Sequence, residues 1–280
     1  MKATAASLAA ASITKGAVKP KEVWPFYAFD NGLRGKGLES LDCKCRLLKD
    51  LGYKGLQYHM NPKEMPKMYE SLDKYGLKMF GMYVVLNLSD GPVDKKLAES
   101  IKLMKGRDTN IDLGIRTKKF KRSDPAGDKI AREMLKKIVD LCGDTGPKIS
   151  IYPHAGFWTE RCEDGARLAK LVDPKMVGTM FNLVHWQWVK PCRPIPEVLK
   201  ENLPHIRSVT FNGLKGDSQK KQKIMPLDES DHDIEKFLTM VKDAGYTGSI
   251  GLQCYSIKAP PQDHLKRSMA KFMEIKKKLF

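Results

Sequence analysis

The chain has 280 residues, of which 41% are hydrophobic, so it can form a full apolar core and a disordered chain is excluded. No run approaches the ~20 consecutive apolar residues of a membrane-spanning helix, and six cysteines are too few for a disulfide scaffold. The net charge of +17 would attract anionic substrates, nucleic acid or a membrane surface. The basic clusters mostly lack aromatic neighbours, which favours a solvated lysine-rich surface. We therefore expect no specific nucleic-acid partner and no membrane partner.

The first 20 residues form a segment of their own. A basic start precedes a run rich in Ala, Ser and Leu that ends near Ile13, and Ala9 and Ala11 have the spacing of a signal-peptide cleavage site. The run is only weakly hydrophobic, which also fits a simple tail. We expect a cytoplasmic protein, with export as the alternative. Residues 1–20 are set apart from the fold, and residues 21–280 are predicted to form a single barrel domain.

One pattern recurs along the chain, in which a glycine separates an amphipathic segment from a short apolar run. It occurs at Gly52, Gly76, Gly146 and Gly245. Such a pattern is typical of a helix that ends at a glycine and is followed by a buried strand. Runs that are apolar throughout, without alternation, indicate parallel strands covered by helices.

Eight apolar segments are predicted as strands: Val23–Phe29, Lys54–His59, Lys78–Val85, Asn110–Ile115, Lys148–Pro153, Met176–Phe181, Ile206–Phe211 and Ser249–Cys254. Three segments carry one apolar stripe at helical spacing: Leu38–Leu51, Ala131–Leu141 and Ile234–Ala244. Eight βα units in about 260 residues predict an α/β fold, the (β/α)8 TIM barrel. A doubly wound open sheet is the alternative, but Gly32, Gly35 and Gly37 do not have the spacing of its nucleotide-binding fingerprint.

The active site of a TIM barrel lies at the carboxyl ends of its strands, so the residues there are the candidate site. Three of the six histidines fall at these ends. We predict His154 and His185 as catalytic residues and His59 as a substrate ligand, against the plainer alternative of hydrogen-bonded structural histidines. The other predicted substrate ligands are amides, a phenol, aromatic rings and one cation: Asn182, Asn212, Gln253, Tyr152, Trp158, Trp186, Tyr255 and Arg116. The amides suit sugar hydroxyls, whereas the rings either stack on a sugar or cap the barrel.

Four segments in the second half of the chain carry a resemblance to a known family. They are Tyr152–His154, Phe181–Trp186 (FNLVHW), Pro204–Ile206 and Gly245–Tyr255. These segments resemble the sugar phosphate isomerase/epimerase group of the xylose isomerase-like TIM-barrel superfamily. That superfamily includes ketose 3-epimerases, inosose dehydratases and apurinic endonucleases. The resemblance spans about residues 22–278 in topology and is specific mainly from the fifth strand onward.

The resemblance implies a divalent metal held by Glu, Asp, His and Glu on strands 5 to 8, with the two Glu side chains as acid and base in an enediol proton transfer. This chain departs from that pattern, because the matched positions carry Tyr152, Asn182, Asn212 and Gln253. Only His185 keeps a family residue. Mg²⁺ and Mn²⁺ prefer anionic oxygen ligands, which amides and a phenol do not supply. Any bound metal is expected to be zinc or a late first-row ion held by His154, His185 and Asn182; otherwise we expect no cofactor.

The sequence therefore predicts an isomerase, epimerase or lyase that acts on a sugar or keto-sugar at the barrel mouth. A non-catalytic sugar-binding barrel is the alternative, favoured by the lost carboxylates, although Asp30, Asp112 and Glu160 are acids that can replace them. An apurinic endonuclease is a weaker alternative, because its multi-metal site needs more His and acidic ligands than the rim supplies. The expected partner is a small sugar, and a homodimer is left open.

Overall fold

A computed structural model describes residues 22–280, which form a closed barrel of eight parallel strands. The barrel strands are β1 (Phe26–Phe29), β2 (Gly55–His59), β3 (Lys78–Asn87), β4 (Asn110–Arg116), β5 (Lys148–Ile151), β6 (Val177–Asn182), β7 (Ile206–Phe211) and β10 (Ser249–Leu252). Neighbours in sequence are neighbours in the sheet, and β1 closes the barrel by pairing with both β2 and β10, so that Phe26 lies opposite Ile250. The predicted (β/α)8 TIM barrel is confirmed.

Helices connect the strands and cover the outside of the barrel. They are α1 (Leu41–Asp50), α2 (Met65–Tyr75), α3 (Lys95–Met104), α4 (Asp128–Cys142), α5 (Cys162–Val172), α6 (Leu183–Trp188), α7 (Ile195–Asn202), α8 (Ile234–Asp243) and α9 (Pro261–Leu279). Several begin at a side chain that accepts a free backbone N–H: Ser40 caps α1, Asp94 caps α3 and Asp233 caps α8. The three helices predicted from apolar stripes correspond to α1, α4 and α8.

The barrel interior holds a small apolar cluster of four aromatic side chains and one methionine. It consists of Tyr27, Phe29, Phe80, Tyr152 and Met180. The rings of Tyr27 and Phe80 stack with 4.7 Å between their centroids. A Cβ at Gly251 would lie 2.5 Å from the Tyr27 ring, so β10 needs a glycine where this ring crosses it. The layer of large rings fills the barrel below its mouth and forms a firm base for the site above.

A short antiparallel hairpin follows β7 and was not predicted. Its strands are β8 (Gly213–Lys215) and β9 (Lys223–Met225), and we call residues 213–225 the mouth hairpin. Side chains of α6 hold its loop: Gln187 Nε2 donates to the carbonyl of Ser218 at 2.8 Å and to that of Lys220 at 3.1 Å. The hairpin is thereby fixed over the carboxyl ends of the strands.

The predicted N-terminal segment, residues 1–20, lies outside the described residues. Within residues 22–280, no helix combines the length and the apolar character that crossing a membrane requires. The assignment of residues 21–280 to one domain and the choice between cytoplasm and export stay predictions.

Candidate active site

A cavity of about 580 Å³ opens among the carboxyl ends of the barrel strands. Six of the predicted site residues line it together: His59, Tyr152, His154, His185, Gln253 and Tyr255. Its size lies within the range of ~300–1,000 Å³ that is usual for small-molecule sites. The barrel therefore presents one deep, mixed polar and aromatic site where its architecture favours an active site.

Two imidazoles lie against each other on one wall of the cavity. The ring centroids of His154 and His185 are 4.1 Å apart. The backbone of Ala155 fixes both rings: its N–H donates to His185 Nδ1 at 3.3 Å, and its carbonyl lies 2.9 Å from His154 Nδ1. Because an N–H only donates and a carbonyl only accepts, His154 carries its proton on Nδ1, whereas neutral His185 carries its proton on Nε2.

Both histidines are held in the neutral form. Burial lowers the pKa of His154, and the nearby Lys221 ammonium lowers it further. Burial lowers the pKa of His185 well below its usual value, with added repulsion from His154 and Lys221. At neutral pH the pair therefore offers a bare Nε2 on His154, which is a base, and an N–H on His185, which is a donor.

Local structure explains why His185 reaches this wall. The chain leaves β6 at Asn182 and turns at once into α6, and Asn182 Oδ1 accepts the His185 backbone N–H at 3.3 Å as the helix cap. The other end of the Asn182 amide, Nδ2, donates to the Tyr152 hydroxyl at 3.0 Å. Gln253 Nε2 donates to the same hydroxyl at 3.1 Å. Tyr152 is thus held between amides of β6 and the segment after β10.

Of the acids Asp30, Asp112 and Glu160, only Asp30 lines the cavity. Asp30 forms a short contact with His59 Nδ1 at the cavity. Beneath the floor, Gln57 Nε2 donates to Asp112 Oδ2 at 2.6 Å, and burial raises the pKa of Asp112 to about 7 although this hydrogen bond opposes the shift. Gly81 makes room for the carboxyl group, because a Cβ there would lie 1.9 Å from Asp112 Oδ2. Glu160, the third acid considered, is buried outside the cavity lining.

Cavity residues that sequence reasoning missed include Arg34, Gln57, Trp188 and Lys221. Lys221 belongs to the mouth hairpin and lies over the Trp188 ring, with its Nζ 4.2 Å from the ring centroid. In the sequence Lys221 falls in a lysine cluster that is typical of a solvated surface. Gln57 did leave a signal, because it is a polar side chain in the middle of a buried strand run.

Five predicted substrate ligands lie outside the cavity lining: Asn182, Asn212, Trp158, Trp186 and Arg116. The indole N–H of Trp158 donates to the Asp124 carbonyl at 3.0 Å, and that of Trp186 donates to the Arg193 carbonyl at 2.9 Å. These bonds turn both indoles toward loops. Asn212 Nδ2 donates to the adjacent Gly213 carbonyl at 2.7 Å, and exposed Arg116 bonds Asn87 at 3.0 Å. The predicted substrate contacts of these five side chains stay predictions.

The described side chains at the mouth do not form a complete site for a divalent metal. Among residues 22–280, no three His, Cys, Asp or Glu side chains come close enough together to hold an ion. Asn182 was predicted as the third ligand, but its oxygen caps α6 and its nitrogen faces Tyr152. Of the three predicted metal ligands, His154 and His185 are left, whereas a catalytic zinc site uses three protein ligands.

The fold and the mouth cavity define a (β/α)8 barrel with its site at the carboxyl ends of the strands. The sequence profile of the xylose isomerase-like TIM barrel family matches residues 45–275, and the chain belongs to that family. A comparison of the sequence with curated proteins finds no match.

Several solved structures share the fold at low sequence identity. The 3-keto-D-glucoside 4-epimerase YcjR from E. coli is 13% identical, with 91% of this chain and 99% of that chain covered and a TM-score of 0.67. D-allulose 3-epimerase from Methylomonas sp., in complex with D-allulose, is 12% identical, with 91% and 97% covered and a TM-score of 0.69. The IOLI protein with a bound zinc atom is 14% identical, with 91% and 99% covered and a TM-score of 0.68. At these identities the likeness establishes the fold.

Proposed function

We propose that the protein is a sugar isomerase- or epimerase-like enzyme, or a related lyase, that acts on a carbohydrate or keto-sugar by imidazole acid–base catalysis. The neutral pair of His154 and His185, fixed by one backbone unit inside the mouth cavity, carries this proposal. A base that is unprotonated at neutral pH and an adjacent N–H donor are the two groups that a proton transfer next to a carbonyl uses.

The roles of the two imidazoles follow from their tautomers. His154 Nε2 accepts the proton from the carbon next to the substrate carbonyl. His185 Nε2 donates a hydrogen bond to a neighbouring substrate oxygen. Because burial lowers both pKa values, neither imidazole is blocked by protonation at neutral pH.

Polar and aromatic groups around the pair support a sugar as the small-molecule partner. Gln57 and Gln253 present amides to the cavity, and Tyr83, Trp188 and Tyr255 present rings. Amides bond sugar hydroxyls, and aromatic faces cover the apolar C–H face of a sugar ring. Proteins of similar fold include epimerases named for a keto-glucoside and for allulose, which supports the same substrate class.

The test is solvent exchange. The protein is incubated in D₂O with D-fructose, D-allulose and a 3-keto-glucoside, and deuterium at the carbon next to each carbonyl is followed by NMR. We expect exchange with at least one of these sugars, because proton transfer to His154 lets solvent deuterium enter. Binding of these sugars without exchange or turnover would instead favour the non-catalytic sugar-binding barrel, which the replaced carboxylate positions also support.

For metal, we expect weak binding of Mg²⁺ and Mn²⁺ in calorimetric titration, because the mouth lacks the anionic oxygens that these ions prefer. Zinc or another late first-row ion is the metal that paired neutral imidazoles favour. The variants His154→Ala and His185→Ala should each remove any zinc signal. Tight Mn²⁺ binding that survives both substitutions would show that the metal site lies elsewhere.

We also propose that the protein forms a homodimer and that it is located in the cytoplasm. An apurinic endonuclease is disfavoured by the donor set at the mouth. If the net charge of +17 serves general attraction of anions, duplex DNA should bind weakly and lose its affinity at moderate salt.

A further inference from the structure

Tyr152 occupies a special place in this site. It stands at the strand-5 position where the family resemblance implies the first metal-binding Glu, and it is nearly fully buried while still lining the cavity. Its hydroxyl oxygen accepts hydrogen bonds from two amides, from Asn182 Nδ2 at 3.0 Å and from Gln253 Nε2 at 3.1 Å. Three of the positions that the resemblance assigns to metal ligands are thus bonded to one another through a phenol.

Backbone donors determine which end of each amide faces the phenol. The backbone N–H of His185 donates to Asn182 at 3.3 Å, and the backbone N–H of Tyr255 donates to Gln253 at 3.1 Å. A backbone N–H cannot accept, so the atoms that it contacts must be the amide oxygens. The NH₂ groups of both amides are then directed at Tyr152 and have to donate to its oxygen.

The direction of the phenolic proton follows from the two amide donors that the Tyr152 oxygen accepts. A tyrosine hydroxyl has one O–H donor and accepts through its oxygen lone pairs, which here receive two amide N–H groups. The Tyr152 hydroxyl can therefore donate its own proton. Because Tyr152 lines the mouth cavity, this proton is available to a molecule bound there. Burial raises the pKa of Tyr152 well above its usual value, which keeps the proton in place.

We propose that the Tyr152 hydroxyl donates a hydrogen bond to the carbonyl oxygen of a keto-sugar and stabilises the enediolate that forms from it. This inference rests on the proposed function. In the step, the C–H bond next to the carbonyl breaks and its proton goes to His154 Nε2. The C–H electron pair forms a C=C bond, and the π pair of the C=O bond moves to oxygen. Tyr152 keeps its proton and donates a hydrogen bond to that oxygen.

The experiment uses [2-¹³C]dihydroxyacetone, a ketose too short to close into a ring, with glycerol as the matched probe that lacks a carbonyl. Binding is measured by calorimetry, and the carbonyl ¹³C shift and deuterium exchange in D₂O are measured by NMR. With the wild-type protein we expect the bound carbonyl signal to move downfield, as a hydrogen bond from an acid donor requires. Removing one such donor should slow exchange by about 10²–10³-fold.

Three variants test whether the proton of the Tyr152 hydroxyl causes the shift of the carbonyl signal. Tyr152→Phe removes the donor, so the downfield shift should vanish. Gln253→Glu keeps the tyrosine and the side-chain size but turns one donor into an acceptor, which draws the phenolic proton away from the cavity and should also abolish the shift. Tyr27→Phe is the control, because that hydroxyl bonds Ser208 Oγ at 2.7 Å inside the barrel and does not line the cavity. Circular dichroism confirms that each variant is folded.

The outcomes separate this inference from the proposed function. A shift that is present in the wild type and in Tyr27→Phe but lost in Tyr152→Phe and Gln253→Glu supports it. A ketose that binds with an unshifted carbonyl, or a shift that survives in Gln253→Glu or Tyr152→Phe, overturns the role of Tyr152 and leaves the sugar enzyme standing. A wild-type protein that binds neither probe and exchanges no deuterium overturns the proposed function, and the role of Tyr152 with it.

Discussion

Replacing Asp112 with Asn should raise the free energy of unfolding by roughly 4 kcal/mol above pH 7, because burial raises the pKa of this carboxyl to about 7 and its ionised form destabilises the folded protein. Asp112 lies beneath the cavity floor among Tyr27, Tyr83 and Tyr152, and the amide of Gln57 is its hydrogen-bond donor. No positively charged side chain within residues 22–280 compensates its charge. The ionised form is therefore disfavoured in the folded protein.

The sign of the effect follows from the two states. Below about pH 4 the carboxyl is protonated in both the folded and the unfolded chain, so it imposes no penalty. As pH rises to about 7, the unfolded chain releases the proton while the folded chain retains it, and stability falls. Above that pH the penalty stays constant.

Urea unfolding at pH 4, 6 and 8 measures this effect. The difference in stability between Asp112→Asn and wild type should grow in favour of the variant between pH 4 and pH 8. Asp50→Asn, which changes an exposed carboxyl on α1, is the control and should follow the wild type. Parallel curves for Asp112→Asn and wild type would show that Asp112 is ionised in the folded protein at no cost.

Replacing His154 with Asn should lower the rate of sugar proton exchange by about 10²–10⁴-fold, the usual contribution of a general base. Because burial lowers the pKa of His154, the wild-type rate should persist below pH 6.5, where an ordinary imidazole becomes protonated. Lys221→Gln removes a nearby positive charge, so the acid limb of the pH–rate profile should move to higher pH. The profile of kcat over pH 4.5–8 measures both effects.

His205→Asn is the matched control for this experiment, since His205 precedes β7 at the opposite end of the barrel. It should leave the exchange rate unchanged. Equal losses in His154→Asn and His205→Asn would point to a general effect on folding. An unchanged rate in His154→Asn would assign the base to another group.

The barrel strands were predictable because each one is a short apolar run that is followed by a helix, and these helices cover the outside of the barrel. Periodicity gave no sign that β3 continues to Asn87, because its last two residues, Leu86 and Asn87, are held in the strand by pairing with β4. The mouth hairpin was missed for the same reason. Its loop, residues 216–222, is polar and is ordered by hydrogen bonds from α6, such as those of Gln187.

The sequence predicted those site residues whose position at the mouth is set by the end of a strand. His154, His185, Tyr152 and Gln253 met there because parallel strands bring their carboxyl ends together. Sequence does not show how side chains turn beyond the strand, so it gave no sign that the indole N–H of Trp158 donates to the Asp124 carbonyl. The tautomers of the imidazole pair depend on the Ala155 backbone, and no residue pattern encodes such a contact.

The pairing of β1 with β10 has a consequence for synthesis on the ribosome. Ile250 follows its partner Phe26 by 224 positions. At ~5–20 residues per second, β1 would wait roughly 10–45 s before its second neighbour has been translated. During that interval the apolar run FYAF has one open hydrogen-bonding edge, which is a template for pairing with another nascent chain. Yield in expression should therefore depend on chaperones that shield this edge and on conditions that keep nascent chains apart.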